Sequence, residues 1–216
     1  MPQILLQADN LSRSYGNFQA LKPVDLSLHP GELVTLVGAN GSGKTTLMLC
    51  LSGLLRPTTG NISLEGYDLY GDERNARRRL AFVPDVPVFY PDLTAWEHLQ
   101  VMAMAHGAGG EFEKRARELL GEFGLWDARD LFLHAYSRGM RLKLALALAL
   151  IRPFSVLLLD EPTSALDVQS TELLCQKLLA LCSADTAILL TTHDPHLTGQ
   201  LNAKTWSIHD GILSTN

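Results

Sequence analysis

A glycine-rich segment between an apolar, β-prone run and an apolar helix start constrains the fold of this chain more than any other feature. The segment Gly38–Thr46 reads GANGSGKTT; it follows Leu33–Val37 and precedes Leu47–Leu49. Glycines at these positions, followed by Lys and Thr between a strand and a helix, are the pattern of a phosphate-binding loop. The sequence therefore predicts an α/β fold with a nucleotide site at the beginning of a helix.

Each residue type in this loop has a physical task. The glycines let the backbone curl so that successive N–H groups face an anion, and the helix N-terminus adds its dipole. Lys44 supplies positive charge for the outer phosphates, and the hydroxyl of Thr45 can bind a magnesium ion. A glycine turn with a surface lysine would not explain the flanking strand. We predict that the nucleotide is bound by Gly38, Asn40, Gly41, Ser42, Gly43, Lys44, Thr45 and Thr46.

Apolar runs elsewhere predict a sheet that contains this strand. β-prone runs alternate with helix-like segments, the pattern of an α/β fold with largely parallel strands. They lie at Val24–Leu28, Leu33–Val37, Asn61–Leu64, Leu80–Val83, Val156–Leu159, Thr186–Thr191 and Thr205–Ile208. Val156–Leu159 and Ile188–Leu190 are apolar throughout, which indicates strands covered on both faces at the centre of the sheet.

The middle of the chain predicts helices inserted between two parts of this sheet. Thr94–His106 and Glu111–Phe123 carry apolar residues at helical spacing. Leu142–Leu150 is ambiguous, because leucines at every second position have the period of a strand. Leu and Ala favour helices, however, and Ser137 is a good N-cap, so helix is the preferred interpretation.

Charge and hydropathy narrow the range of partners. The formal net charge is −5 and there is no basic stripe, so the chain has no general electrostatic attraction to nucleic acid or anionic lipid. The longest apolar runs fall far short of the roughly 20 residues that span a bilayer. The first residues do not resemble a signal peptide. We therefore expect a chain that is intracellular, soluble by itself and does not bind nucleic acid.

Two adjacent carboxylates follow the apolar run Val156–Leu159. Taken alone, Asp160 and Glu161 could equally mark a strand end that reaches solvent. Beside a phosphate-binding loop, Asp160 can hold a magnesium ion, directly or through water. Side chains alternate along a strand, so Glu161 should point away from Asp160. We predict that Glu161 is the general base for an attacking water rather than a second metal ligand.

These motifs resemble those of the ATP-binding cassette (ABC) ATPase family, and the resemblance covers almost the whole chain. Tyr15 resembles the family's aromatic residue that stacks on adenine. Ser164–Asp167, which reads SALD, resembles the D-loop at the dimer seam. His193 matches the switch histidine that contacts the γ-phosphate. The resemblance implies one domain over residues 1–216: an ATP-binding core at 1–85 and 152–216 and a helical subdomain with the signature motif at 86–151.

The segment Tyr136–Met140, which reads YSRGM, resembles the family signature. Ser137 and Gly139 match its serine and second glycine, and the resemblance implies that they contact ATP held by a second copy. Arg138 stands where the family usually has glycine, and Met140 where it has glutamine. Positive charge in a first helical turn opposes the helix dipole unless an anion is present. A docked γ-phosphate would remove that conflict, whereas the competing interpretation is a solvated basic helix end.

Asp85 is a further departure, because the family commonly has glutamine there. Ionised aspartate only accepts hydrogen bonds, while glutamine also donates. We predict that Asp85 still binds the magnesium ion or its water, together with Thr45 and Asp160.

The resemblance implies a P-loop NTPase core with a mostly parallel sheet, an N-terminal antiparallel β portion and an inserted α-helical subdomain. It also implies hydrolysis of ATP with Mg²⁺ by Lys44, Glu161 and His193, and a dimer of identical or different ATPase subunits. The expected function is to power an ABC transporter, an exporter, through a separate membrane subunit at the inner face of the cell membrane. Pro87–His106 would dock that subunit, or form ordinary subdomain core. Alternatives are an ABC-type ATPase for assembly or regulation without a membrane partner, and a kinase.

Overall fold

Two β-sheets are formed within residues 3–215, the part of the chain that the computed structural model describes. The first sheet is antiparallel, with the order β2-β1-β4-β5. Its strands are β1 (Leu6–Tyr15), β2 (Phe18–Leu28), β4 (Thr59–Leu64) and β5 (Tyr67–Asp68). It confirms the expected antiparallel portion. The apolar runs did not reveal β1, because polar residues interrupt it where its register with β2 shifts, between Ala8 and Leu11.

The second sheet has the order β10-β9-β3-β8-β7-β6 and is mostly parallel. β3 pairs in parallel with β8 and β9, β7 pairs in parallel with β8, and β10 runs antiparallel to β9. The strands are β3 (Leu33–Val37), β6 (Leu80–Val83), β7 (Val156–Asp160), β8 (Ala187–Thr191), β9 (Lys204–His209) and β10 (Ile212–Ser214). This arrangement confirms the predicted fold class.

The sheet interior is formed by the strands that are apolar along their whole length. Every residue of β7 and β8 is buried. β8 lies in the middle of the sheet and β7 one strand from its edge. Burying a Leu or Ile side chain stabilises the fold by about 1.5–3 kcal/mol. These strands therefore supply a rigid base for the residues at their carboxyl ends.

The carboxyl ends of β3, β7 and β8 lie at one edge of the sheet. Asp160 at the end of β7 pairs with Thr191 at the end of β8, and Thr191 also pairs with Leu36 of β3. The glycine-rich loop begins directly after β3. Ligands of parallel α/β sheets bind at this edge, so the topology brings the predicted phosphate loop and the predicted carboxylates together.

The helices complete the described chain, which divides into two compact units. They are α1 (Lys44–Leu51), α2 (Glu73–Arg79), α3 (Ala95–Ala105), α4 (Phe112–Glu122), α5 (Arg138–Leu150), α6 (Val168–Ser183) and α7 (Pro195–Leu201). One unit comprises the residues up to Phe82, Phe154–Glu161 and those from Cys175 onward; the other comprises Val83–Pro153 and Pro162–Leu174. Within residues 3–215, no helix has the length and apolarity needed to cross a membrane.

In the second unit, α3, α4 and α5 pack against one another. Thr94 and Glu97 form a capping box that begins α3, which is a strong start signal. Trp96 packs into the unit, with its ring centroid 4.9 Å from that of Phe112 and 6.0 Å from that of Trp126. The two helices expected from apolar spacing, α3 and α4, are thus confirmed.

The ambiguous leucine-rich segment is the helix α5, as preferred. The hydroxyl of Ser137 caps it by accepting a hydrogen bond from the backbone N–H of Met140 at 3.2 Å. Nearly every residue from Leu142 to Leu150 is buried. A helix that is buried around most of its circumference does not need the spacing of an amphipathic helix. This explains why its leucines show the period of a strand.

Candidate active site

The glycine-rich loop follows β3 and ends at the first residue of α1. Gly41 and Gly43 have φ values of 78° and 111°, a region that residues with side chains rarely adopt. A Cβ atom on Gly43 would lie 2.7 Å from the carbonyl oxygen of Ala20, and one on Gly38 would overlap that of Ile208. The loop therefore curls tightly against β2 and β9. Its backbone and the N-terminus of α1 form a cradle suited to an anion.

Lys44 bends back over this loop. Its ammonium donates hydrogen bonds to the carbonyl oxygens of Gly38 at 2.8 Å and Ala39 at 3.1 Å, and the residue is buried. The hydroxyl oxygen of Ser42 is also buried and has no hydrogen-bond partner among the described residues. Thr45 is exposed in the first turn of α1. The loop thus offers a positive charge and hydroxyl groups to a phosphate and its cation.

Thr191 joins the two predicted carboxylate residues. Its hydroxyl donates to Asp160 Oδ1 at 2.6 Å and accepts from the backbone N–H of Glu161 at 2.9 Å. Thr191 is fully buried and Asp160 nearly so. A buried carboxylate held by a single neutral hydroxyl keeps oxygen lone pairs for a hard cation. The donor set of Asp160 and Thr45 therefore fits a magnesium ion.

Glu161 follows β7 in a left-handed backbone conformation, with φ at 49°. Glu161 lies outside β7, whose last residue is Asp160. The expectation that Glu161 points away from Asp160 because side chains alternate along a strand was therefore based on the wrong geometry. The two carboxylates nevertheless have different partners, because Glu161 Oε1 lies 3.1 Å from His193 Nε2. Non-glycine residues rarely adopt this conformation, and such strain concentrates at functional sites.

The carboxylate of Glu161 is poised to accept a proton. Its Oε1 atom is buried and receives no well-directed hydrogen bond from the described residues, despite the nearby His193 ring. Burial raises the pKa of Glu161 above the ordinary value of a glutamate, although the charges of His193 and Lys44 act in the opposite direction. A water molecule could satisfy this oxygen. Both properties are those of a general base.

His193 reaches the same edge of the sheet from the segment after β8. Its side chain is half-exposed and lines a cavity of about 350 Å³ together with Val37, Gly38, Thr192 and Asp194. Asp194 caps α7 through its side chain, which accepts from the backbone N–H of His196. His193 and Gly38, the first glycine of the loop, thus line the same cavity.

Tyr15 lies at the end of β1, opposite Phe18 in the antiparallel pair. Its side chain is 46% exposed, and the guanidinium carbon of Arg13 lies 4.7 Å from the ring centroid. Farther along β2, Ala20 contacts the glycine-rich loop. An exposed ring on the same strand pair can stack on a base. The adenine contact of Tyr15 stays a prediction.

The predicted signature residues lie in the second unit, where α5 begins. A Cβ atom on Gly139 would lie 2.7 Å from the carbonyl oxygen of Ala165, so a side chain at this position would push the two segments apart. Ser137 caps the helix through Met140. A capped N-terminus with a close glycine can dock an anion, but the contact with nucleotide stays a prediction.

Asp85 also lies in the second unit, and its partners were not foreseen from the sequence. Its Oδ1 atom accepts a hydrogen bond from Arg138 Nη2 at 3.1 Å and from Ser164 Oγ at 2.8 Å. Arg138 Nη2 also donates to Ser164 Oγ at 3.2 Å. Arg138 and Asp85 were each recognised as departures from the family pattern, but not as a pair. The magnesium role of Asp85 stays a prediction.

Thr191 is the other residue that the sequence analysis missed. Its only local signal is its place in the sequence, at the end of an apolar strand and two residues before His193. Threonine is common at strand ends, so this signal does not distinguish a structural residue from a functional one. The hydrogen bonds to Asp160 and Glu161 make the distinction.

Comparisons with known proteins agree with this geometry. The family model described as "ABC transporter" matches residues 21–164, which include the glycine-rich loop and both carboxylates. The SkfA peptide export ATP-binding protein SkfE of Bacillus subtilis (strain 168) is 33% identical over 210 residues, which are 97% of this chain and 87% of that protein.

Solved structures extend the similarity to the fold. A structure described as the ATP binding subunit of an ABC transporter has a TM-score of 0.91 and 32% identity, over 98% of this chain and 90% of that one. A dimeric ATP-binding cassette in a post-hydrolysis state, bound to ADP and Pi, has a TM-score of 0.86 and 26% identity, over 98% of both chains.

Proposed function

The chain belongs to the ABC transporter family, and we propose that this ATP-hydrolysing subunit powers export through a separate membrane subunit. The observation that carries the proposal is the linkage of Asp160 and Glu161 through Thr191 at the edge where the glycine-rich loop begins. Export is supported by SkfE, whose name describes peptide export.

The loop would hold the phosphates of ATP through its N–H groups and Lys44. The ammonium would exchange the carbonyl oxygens of Gly38 and Ala39 for phosphate oxygens, a stronger charge-assisted interaction. Thr45 and Asp160 would hold a magnesium ion. When bound, the ion would supply positive charge that neutralises the charge on the phosphate oxygens.

Hydrolysis then follows from the position of Glu161. Its unsatisfied Oε1 atom accepts a proton from a water molecule, whose oxygen attacks the γ-phosphorus in line with the leaving group. A bond forms between the water oxygen and the γ-phosphorus, and the bond to the β,γ-bridging oxygen breaks to release ADP. His193, whose Nε2 atom lies 3.1 Å from the same oxygen, would contact the γ-phosphate.

The signature points to a dimer in which each copy completes the site of the other. Ser137 and Gly139 would contact the γ-phosphate of ATP that a second ABC subunit holds, identical or different. The dimeric cassette with ADP and Pi supports this arrangement. Two nucleotides would then be enclosed between two subunits.

Exposed apolar side chains support a membrane subunit as the partner. Val86, Val88, Tyr90 and Met104 of the second unit are each at least two-thirds exposed. Trp96, by contrast, packs against Phe112 and does not contribute. Several exposed large apolar side chains in one unit are typical of a protein interface. We place the chain in the cytoplasm, peripheral at the inner face of the cell membrane.

The alternative is an ABC-type ATPase that acts on protein assembly or regulation without a membrane partner. The same exposed residues would then bind a protein outside the membrane. The net charge of −5 gives no support to a nucleic-acid partner.

The test is capture of the partner in the ATP-bound state. The tagged Glu161→Gln variant is purified from membranes in mild detergent with ATP and magnesium, and proteins recovered in stoichiometric amount are identified. We expect an integral subunit with several spanning helices. Val88→Asp should abolish its recovery, whereas Leu54→Asp, at another exposed apolar position, which lies in the first unit, should not. Recovery with a non-membrane protein alone would overturn the transporter assignment in favour of the assembly class.

A further inference from the structure

Two positions at which this chain departs from the family pattern contact each other. Asp85 stands where glutamine is usual and Arg138 where glycine is usual. Their side chains form an ion pair, with Arg138 Nη2 3.1 Å from Asp85 Oδ1. Glycine at position 138 could not form this contact, because it has no side chain. The two departures are therefore chemically complementary.

Ser164 joins the pair to the segment that follows Glu161 in the chain. Its hydroxyl donates to Asp85 Oδ1 at 2.8 Å and lies 3.2 Å from Arg138 Nη2. We call Asp85, Arg138 and Ser164 the Asp85 cluster. All of its members belong to the second unit, and they come from three separate parts of the sequence.

The first two turns of α5 contact the segment 164–167 at two further points. Gly139 lies against the carbonyl oxygen of Ala165, where no side chain fits. Lys143 Nζ donates to Asp167 Oδ2 at 2.7 Å. These contacts hold the signature against the segment 164–167. The Asp85 cluster also connects the loop after β6 to them.

The Asp85 cluster contributes little to stability. The side chain of Arg138 is 65% exposed and that of Asp85 38%, and exposed ion pairs of this kind add little to the free energy of unfolding. Its charges still matter locally. Arg138 is the first residue of α5, where a positive charge opposes the helix dipole, and Asp85 supplies the compensating anion.

We propose that Asp85 and Arg138 are matched positioning residues that hold the signature against the segment 164–167 and thereby set ATP-dependent pairing of two copies and turnover. This rests on the proposed function, in which the signature contacts ATP of a second subunit. Without Arg138, the negative charge of Asp85 beside the signature is unbalanced and would disfavour an incoming γ-phosphate. Without the charge of Asp85, the guanidinium keeps only weaker hydrogen bonds, and the signature is held less firmly beside Ser164.

The test is a double-substitution cycle with nearly isosteric, neutral side chains. Asp85→Asn and Arg138→Gln are made singly and together, because the neutral pair can still form hydrogen bonds with each other and with Ser164. The readouts are the kcat and KM of ATP hydrolysis and, in a Glu161→Gln background, the protein concentration at which ATP causes dimerisation. Arg77→Gln breaks an exposed ion pair of the first unit and is the matched control.

We expect each single substitution to lower kcat by about five- to tenfold, with KM for ATP and the melting temperature nearly unchanged. The double variant should return to within about twofold of the unaltered chain, and Arg138→Lys should retain most of the activity. Arg77→Gln should have no effect. A loss in the double variant that equals the product of the single losses would overturn the pairing, as would kcat values that do not change in either single variant.

The cycle also separates this inference from the proposed function. If the unaltered chain hydrolyses ATP and the single losses multiply, the inference fails and the ATPase assignment stands. If the unaltered chain neither binds nor hydrolyses ATP, the proposed function fails and the inference with it.

Discussion

The phosphate loop in the first unit and the signature in the second unit are organised by different physical means. Around the loop, geometry comes from backbone curvature at Gly43 and from hydrogen bonds of the buried Thr191. Around the signature, it comes from exposed ion pairs of Arg138 and Lys143. Salt screens exposed charges but hardly affects buried hydrogen bonds. The geometry of the first region should therefore depend little on salt, whereas that of the second should depend on it.

The largest expected effect tests whether the first region contains the chemistry. Glu161→Gln removes the proton acceptor while preserving the shape of the side chain. We expect kcat for ATP hydrolysis to fall by about 10²- to 10⁴-fold, with ATP still bound. Steady-state hydrolysis and binding of labelled ATP measure the two quantities. Unchanged turnover would show that Glu161 is not the general base and that the first unit does not supply this part of the chemistry.

A second variant tests whether a buried hydrogen bond organises the first region. Thr191→Val leaves the Asp160 carboxylate and the Glu161 N–H without their partner, so we expect a loss of about 1–3 kcal/mol in unfolding free energy. We also expect kcat to fall by about ten- to a hundredfold.

Thr35→Val is the matched control for that variant. Thr35 is equally buried and its hydroxyl donates to the carbonyl oxygen of Lys204. The control should lose stability but keep its kcat. Equal catalytic losses in both variants would show that Thr191 acts through stability alone.

The pH dependence of kcat sharpens the role of burial at Glu161. The ionised carboxylate is the active form, and burial raises its pKa. Activity should therefore fall on acidification with a midpoint above the ordinary pKa of a glutamate, by about tenfold for each pH unit below that midpoint. A pH series of single-turnover rates measures this midpoint. A midpoint at or below the ordinary value would contradict the raised pKa.

The smallest effect is expected from an exposed pair of the signature region. Asp167 accepts from Lys143 at 2.7 Å, and the hydrogen bonds from Lys143 and Ser170 hold the pKa of Asp167 well below its usual range. Asp167→Asn should lower kcat by about twofold at low salt. The difference should vanish near 1 M salt, where the screening length is about 3 Å. A loss that persists at high salt would show that this contact does not depend on charge.

The sequence predicted those parts of the fold and site that depend on local pattern. The strand β3 and the glycine-rich loop were recognised with their bounds, because apolar run, glycine spacing and helix start are adjacent in the chain. The helix α5 was preferred over a strand on the strength of Ser137, and the Ser137 cap is present. Asp160 and Glu161 lie together at the edge of the sheet, as expected for consecutive residues at a strand end.

The rest depended on contacts between distant parts of the chain. Thr191 meets Asp160 across 31 positions, and Arg138 meets Asp85 across 53. No periodicity or motif encodes such a pairing. The left-handed backbone of Glu161 was also unforeseen, because a strand pattern gives no sign of where its last residue leaves the sheet.

The strained backbone at Glu161 lowers the stability of the protein at a residue that its activity requires. Glycine adopts a positive φ without steric cost, whereas a residue with a side chain pays about 1–2 kcal/mol. A laboratory selection for thermal stability alone would therefore favour Glu161→Gly. That variant would be more stable but would not hydrolyse ATP. Engineering of a more robust transporter subunit from this chain should leave position 161 untouched and seek its gains elsewhere.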